Sequence, residues 1–73
     1  MMKKEIDARG LSCPLPVLKT RAALEEGCEE VEVRVDTGVA RENVARFARS
    51  RGYAVAVKQS GEGEWLLCLR KEG

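Results

Sequence analysis

Seventy-three residues set the size of one small domain, with a core thin enough that every apolar stripe matters. Hydrophobic residues make up 44% of the chain and charged residues 34%, a balance that argues against disorder and predicts a globular fold. A net charge of +1 is too small to predict nucleic-acid binding from the field of the whole chain, and no apolar run approaches the ~20 residues needed to span a bilayer.

Met1-Met2-Lys3-Lys4-Glu5 opens no signal-peptide apolar core, so a single domain over 1–73, a cytoplasmic location and no membrane partner are expected. Lys4 to Ala8 reads as a short strand with Ile6 and Ala8 on one face and Glu5 and Asp7 on the other. Arg9-Gly10-Leu11-Ser12 leads into Cys13-Pro14-Leu15-Pro16, and a first helix is predicted over Pro14 to Glu26, ended by Gly27 as a left-handed cap. That helix offers two apolar lines, Val17-Thr20-Leu24 and Leu15-Leu18-Ala22, and the pattern does not choose between them.

Glu29 to Asp36 alternates cleanly, Val31, Val33 and Val35 against Glu32, Arg34 and Asp36, which predicts a strand buried on one side. Asp36-Thr37-Gly38 offers an N-cap, and a second helix is predicted over Val39 to Arg51, closed by Gly52. Its core stripe is expected at Ala40, Val44, Phe47 and Ala48, with Arg41, Glu42, Arg46 and Arg49 on the opposite surface. Charges on such a face are commonly just solvated; as a functional alternative, Arg41, Arg46 and Arg49 would dock an acidic partner.

Tyr53 to Gln59 reads as a third strand, and Ser60-Gly61-Glu62-Gly63 as the turn of a hairpin into Glu64 to Arg70. Both alternating sets of that last strand, Trp65-Leu67-Leu69 and Leu66-Cys68, are apolar, which predicts a place inside the sheet. The expected fold is therefore an α/β (α+β) two-layer sandwich, β-α-β-α-β-β, with two helices on one face of a four-stranded mixed sheet.

The chemistry concentrates at Cys13. Proline is favoured at the first helical position, so Pro14 as that residue makes Cys13 the cap; Pro16 lacks an amide hydrogen, leaving the Leu15 N–H as the donor for sulfur. The positive end of the helix dipole also favours a thiolate there. A cysteine can equally be a small buried hydrophobe, but a space-filler does not require prolines on both sides of Leu15 that fix the turn and strip donors from it.

The other two cysteines, Cys28 and Cys68, make an odd count without paired spacing, which suits reduced thiols. A helix of about 13 residues spans roughly 20 Å, so Cys13 and Cys28 at its two ends cannot bond within one molecule. The chain has no histidine and no Cys-x-x-Cys pair, which removes Cys-His and Ser-His-Asp catalysis and any recognisable zinc site.

Asp7-Ala8-Arg9-Gly10-Leu11-Ser12-Cys13-Pro14-Leu15-Pro16 resembles the signature of the TusA/SirA/YedF sulfur-carrier family, in which a Cys-Pro-x-Pro motif opens the first helix. The resemblance covers nearly the whole chain, and Val35-Asp36 through Ala40-Arg41-Glu42-Asn43-Val44 to Gly52-Tyr53 looks closest to the YedF branch. It implies a last strand inserted between the second and third. It also implies a persulfide on Cys13, a cysteine desulfurase-type sulfur donor and a protein sulfur acceptor.

The leading expectation is thus a sulfur carrier or sulfurtransferase with Cys13 as catalytic thiol, Pro14, Leu15 and Pro16 as motif support, and no metal or organic cofactor. Pro16 stands where a Cys-x-x-Cys oxidoreductase has its second thiol, which argues for transfer over disulfide catalysis. The alternative, from another class, is a non-catalytic regulatory or binding module that docks protein or RNA through the arginine-bearing second helix.

Overall fold

The computed structural model describes residues 3–72; Met1, Met2 and Gly73, included in the predicted domain, lie outside the described residues. The elements run β1 (Lys3–Asp7), α1 (Leu15–Glu25), β2 (Glu30–Val35), α2 (Gly38–Ser50), β3 (Tyr53–Gly61) and β4 (Glu64–Lys71). The predicted order holds, and each boundary lies within two residues of its expected place.

The sheet order is β1-β2-β4-β3, with β1 parallel to β2 and β4 antiparallel to both its neighbours. The last strand is therefore central, as its doubly apolar pattern predicts. Val31, Val33 and Val35 of β2 sit opposite Leu69, Leu67 and Trp65 of β4. All three valines, with Leu67 and Leu69, are fully buried under the helices. Burying one such side chain is worth roughly 1.5–3 kcal/mol, so these few residues supply a large share of what holds a domain of this size.

Both helices cover the same face, because parallel β1 and β2 each feed a right-handed crossover in one direction. On α1 the buried residues are Pro16, Thr20 and Ala23, with Val17 and Leu24 packed at the margin. The line through Thr20 thus faces the sheet, while Leu15 and Leu18 are 43% and 47% exposed. The Thr20 hydroxyl is satisfied inside the core by donating to the Pro16 carbonyl at 2.9 Å. Gly27, at φ +87°, supplies the left-handed residue that ends the helix.

Thr37 caps α2, its hydroxyl accepting the Ala40 N–H at 3.0 Å. The buried stripe is Ala40, Val44, Ala45 and Ala48. Phe47, expected in that stripe, is only half-buried at its margin, with the Arg51 guanidinium 5.0 Å from its ring. The face that meets the sheet is filled by Ala40, Val44 and Ala48 together with Ala45, which the expected stripe did not include.

Candidate functional site

Cys13 follows the carboxyl end of β1, where both helices begin. It is exposed, and it lines an open cavity of about 200 Å³ between the start of α1 and the start of α2. Leu11, Pro14, Pro16 and Val17 form one wall, Thr37, Val39, Ala40 and Asn43 the other. Among the described residues, Cys13 is the one ionisable side chain in this lining. Val39, on the rim, is 63% exposed, and exposed Leu15 and Leu18 continue the apolar surface along α1.

The structure shifts the expected cap. α1 starts at Leu15 with Pro14 as its N-cap, and no side chain caps it. The Leu15 N–H, expected to serve the Cys13 sulfur, donates to the Ser12 carbonyl at 2.9 Å. Ser12 to Leu15 closes a tight turn, and its bond uses that amide before the helix begins. Pro16 consequently falls at the second helical position, where it is buried. Its part is to pin the start of α1 onto the core.

A set of polar contacts holds the loop that carries Cys13. The Asp7 carboxylate accepts the Arg9 N–H at 3.1 Å and two guanidinium hydrogen bonds from Arg9 at 2.9 Å. These hydrogen bonds, side chain first and backbone second, hold the Asp7 carboxyl well below the usual carboxylate range, and the side-chain bond and charge of Asp7, with Glu64 behind them, push the Arg9 guanidinium up. Arg9 also reaches Glu64 on β4 at 3.3 Å. Asp36, just past β2, accepts the Gly10 N–H at 2.9 Å and so ties the two strand-to-helix loops together. Gly10 has φ +76°, a conformation that strains any side chain. The sequence places Asp7 and Asp36 on polar strand faces, Asp36 also in the turn before α2, Arg9 in the motif and Glu64 at the start of the last strand, and gives none of them a part in holding the Cys13 loop. An aspartate two residues before an arginine, followed by glycine, is a local turn signal that could have found the pair of Asp7 and Arg9.

The three arginines separate. Arg41, expected on the outer surface of α2, instead extends over the sheet with its guanidinium 4.7 Å from the centre of the Trp65 ring. Arg46 and Arg49 are exposed. None of the three lines the Cys13 cavity; with Ala45 and Val57 they border a separate groove on the β3 side. Of the remaining thiols, Cys28 is 1% exposed beneath α1, and Cys68 is half-buried on the open sheet face, its thiol 3.8 Å from Glu32 Oε2. Among the described residues no group of three or more His, Cys, Asp or Glu side chains is placed to hold a metal, and no helix is long and apolar enough to cross a membrane.

Fold and site define a small two-layer α/β domain that presents one thiol at the mouth of an apolar cavity. The family profile described as Sulfurtransferase TusA matches residues 4–71, and the chain belongs to that family. It is 43% identical over 70 residues to a protein of Methanocaldococcus jannaschii named as a candidate sulfur carrier, covering 93% of each chain. A similarly named protein of Bacillus subtilis, YrkI, is 31% identical over 72 residues, covering 96% of this chain and 95% of that one. Among solved structures, a SirA-like protein from Desulfitobacterium hafniense superposes with a TM-score of 0.86 at 32% identity, covering 94% of this chain and 99% of that chain.

Proposed function

We propose that the protein is a sulfur carrier in which Cys13 holds a persulfide and passes its outer sulfur between protein partners. Membership of the TusA family and relatives named as candidate sulfur carriers support the class of activity. The observation that carries the mechanism is an exposed Cys13 at an apolar cavity whose other lining residues cannot ionise. A hydrolase or redox site needs a proton shuttle or a second thiol beside the nucleophile. Transfer of sulfane sulfur needs neither.

In loading, the Cys13 thiolate attacks the outer sulfur of a donor persulfide on a cysteine desulfurase-type protein. A new S–S bond forms at Cys13, the donor's S–S bond breaks, and the donor cysteine leaves as a thiolate that takes up a proton. In unloading, an acceptor protein's thiolate attacks the outer sulfur of Cys13–S–SH, and Cys13 is the leaving group. No electron is gained or lost overall, so no oxidant or cofactor enters.

The surroundings suit such an exchange. Both helices begin at this end of the molecule, so the surface around Cys13 is carried on rigid elements. The apolar rim of Leu15, Leu18 and Val39 gives a partner a surface to cover, which excludes water from the persulfide. Intact-mass spectrometry after incubation with a cysteine desulfurase and cysteine tests the proposal. The mass of one added sulfur atom is expected in the wild type and in Cys28→Ser/Cys68→Ser, and not in Cys13→Ser. Loading that persists in Cys13→Ser would assign the site elsewhere.

A further inference from the structure

The two edges of the sheet are unlike. β1 is five residues long, and Lys3, Lys4, Glu5 and Asp7 are charged, a usual protection against pairing with another chain. β3 runs nine residues without proline and with Lys58 as its one charge. Its register irregularity lies at the far end, between Gln59 and Gly61, so Tyr53 to Val57 is regular strand.

The ladder fixes where the backbone groups of β3 point. Tyr53 is registered with Lys71, and the Gly52 carbonyl accepts the Glu72 N–H at 3.1 Å. Alternate residues of an antiparallel pair direct both their groups at the neighbouring strand. Even-numbered residues therefore bond to β4, and the amides and carbonyls of Tyr53, Val55 and Val57 point outward. Among the described residues no strand lies beyond them.

Beside this edge Arg41, Arg46 and Arg49 border a groove of about 640 Å³ with Val57, and among the described residues Glu42 is its one acidic side chain. Arg46 and Arg49 make no ion pair among the described residues. Val55 and Val57 turn their side chains to the helix side of the sheet, so a strand added here would send its alternate side chains to the same side, towards the arginines. A two-fold pairing of β3 with a second copy would bring two such arginine clusters together, which like-charge repulsion opposes.

We propose that the β3 edge docks an extended acidic segment of a partner protein, added as a further strand that bonds to the outward groups of Tyr53, Val55 and Val57 while its alternate Asp or Glu side chains meet Arg41, Arg46 and Arg49. Strand addition of this kind takes affinity from the main chain and specificity from alternate side chains. Gln59, Trp65 and Val35 lie in one row across the sheet, at the end where α2 begins and the Cys13 cavity opens. A bound segment thus runs towards that end and tethers its protein near the thiol. The proposal does not depend on persulfide chemistry.

The probe is a fluorescein-labelled octapeptide of alternating valine and glutamate, followed by anisotropy with the full chain. Binding is expected, and the valine-lysine analogue, the Arg46→Glu/Arg49→Glu variant and Val57→Pro should each bind about tenfold or more weakly. Val57→Pro removes an outward amide and leaves the β4 ladder intact. Should that variant not fold, the glutamate peptide N-methylated at alternate residues makes the same test on the wild-type protein. Saturation should also slow amide exchange at Val55 and Val57. Cys13→Ser should bind the peptide as the wild type does, which separates this result from the fate of the sulfur-carrier reading. The proposal is overturned by absence of binding, by equal affinity for the two charge types, or by full affinity of the N-methylated peptide. A dimer that Val57→Pro dissolves, or tighter binding of single-stranded RNA at the same edge, would give the edge to another occupant and overturn it too.

Discussion

Pro16→Ala separates a structural part for the motif's second proline from a direct effect on sulfur. Pro16 is buried, and its carbonyl accepts the Thr20 hydroxyl at 2.9 Å. The substitution keeps Cβ and removes two ring methylenes, about 1.6 kcal/mol at ~0.8 kcal/mol for each buried methylene. Freeing the unfolded chain adds about 0.4–1 kcal/mol. The restored amide lies in the first helical turn, where no intrahelical acceptor exists, so it returns little. The total is a loss of about 2–2.6 kcal/mol. With an m-value of about 1 kcal/mol/M, the smallest-protein end of the range, the urea midpoint should fall by about 2 M, followed by far-ultraviolet circular dichroism. Below the transition the folded variant should alkylate at Cys13 at the wild-type rate, because the nearest first-turn amide already serves Ser12. A changed rate at unchanged stability would refute this reasoning and return Pro16 to the sulfur's own chemistry.

Exposure predicts the order of the thiols: iodoacetamide at pH 7 should modify Cys13 first and Cys28 last, and faster labelling of Cys28 or Cys68, read by peptide mass mapping, would contradict the site assignment. The Asp7 carboxyl, held low by Arg9, favours the folded state at neutral pH. Because the folded value is depressed, that contribution is fully present above the ordinary carboxylate range near pH 4 and should be lost progressively as the pH falls from there to the lower folded value. Carboxyl NMR should therefore show no Asp7 inflection near pH 4 in the wild type and one in Arg9→Ala. Asp36→Ala, which frees the Gly10 amide, should slow transfer from Cys13 at near-normal stability, and an unchanged single-turnover rate would remove the link between the loops from the mechanism.

The strands were legible because a period of two allows one reading: Val31, Val33 and Val35 can only share a face, and a β4 apolar on both sides can only lie inside the sheet. α1 was not legible in the same way. Its Leu15-Leu18-Ala22 line is as apolar as the one through Thr20, and the line holding the two leucines is the exposed one. Amphipathic patterning assumes that apolar residues seek the protein's own core, and that assumption fails on this face of α1, where Leu15 and Leu18 stay exposed. The cap failed for a related reason. Proline statistics place Pro14 at the first helical position, but Ser12, Cys13, Pro14 and Leu15 form a turn of their own, and its hydrogen bond competes with the cap for one amide. Arg41 could be placed on a helix by sequence, not over Trp65, because the ring arrives from a strand 24 residues further along the chain. Asp36 and Gly10 meet across 26 residues in the same way. The place of Cys13 just before α1 is a local fact that the motif carries; what positions it is assembled from distant parts of the chain, and neither spacing nor composition records that assembly.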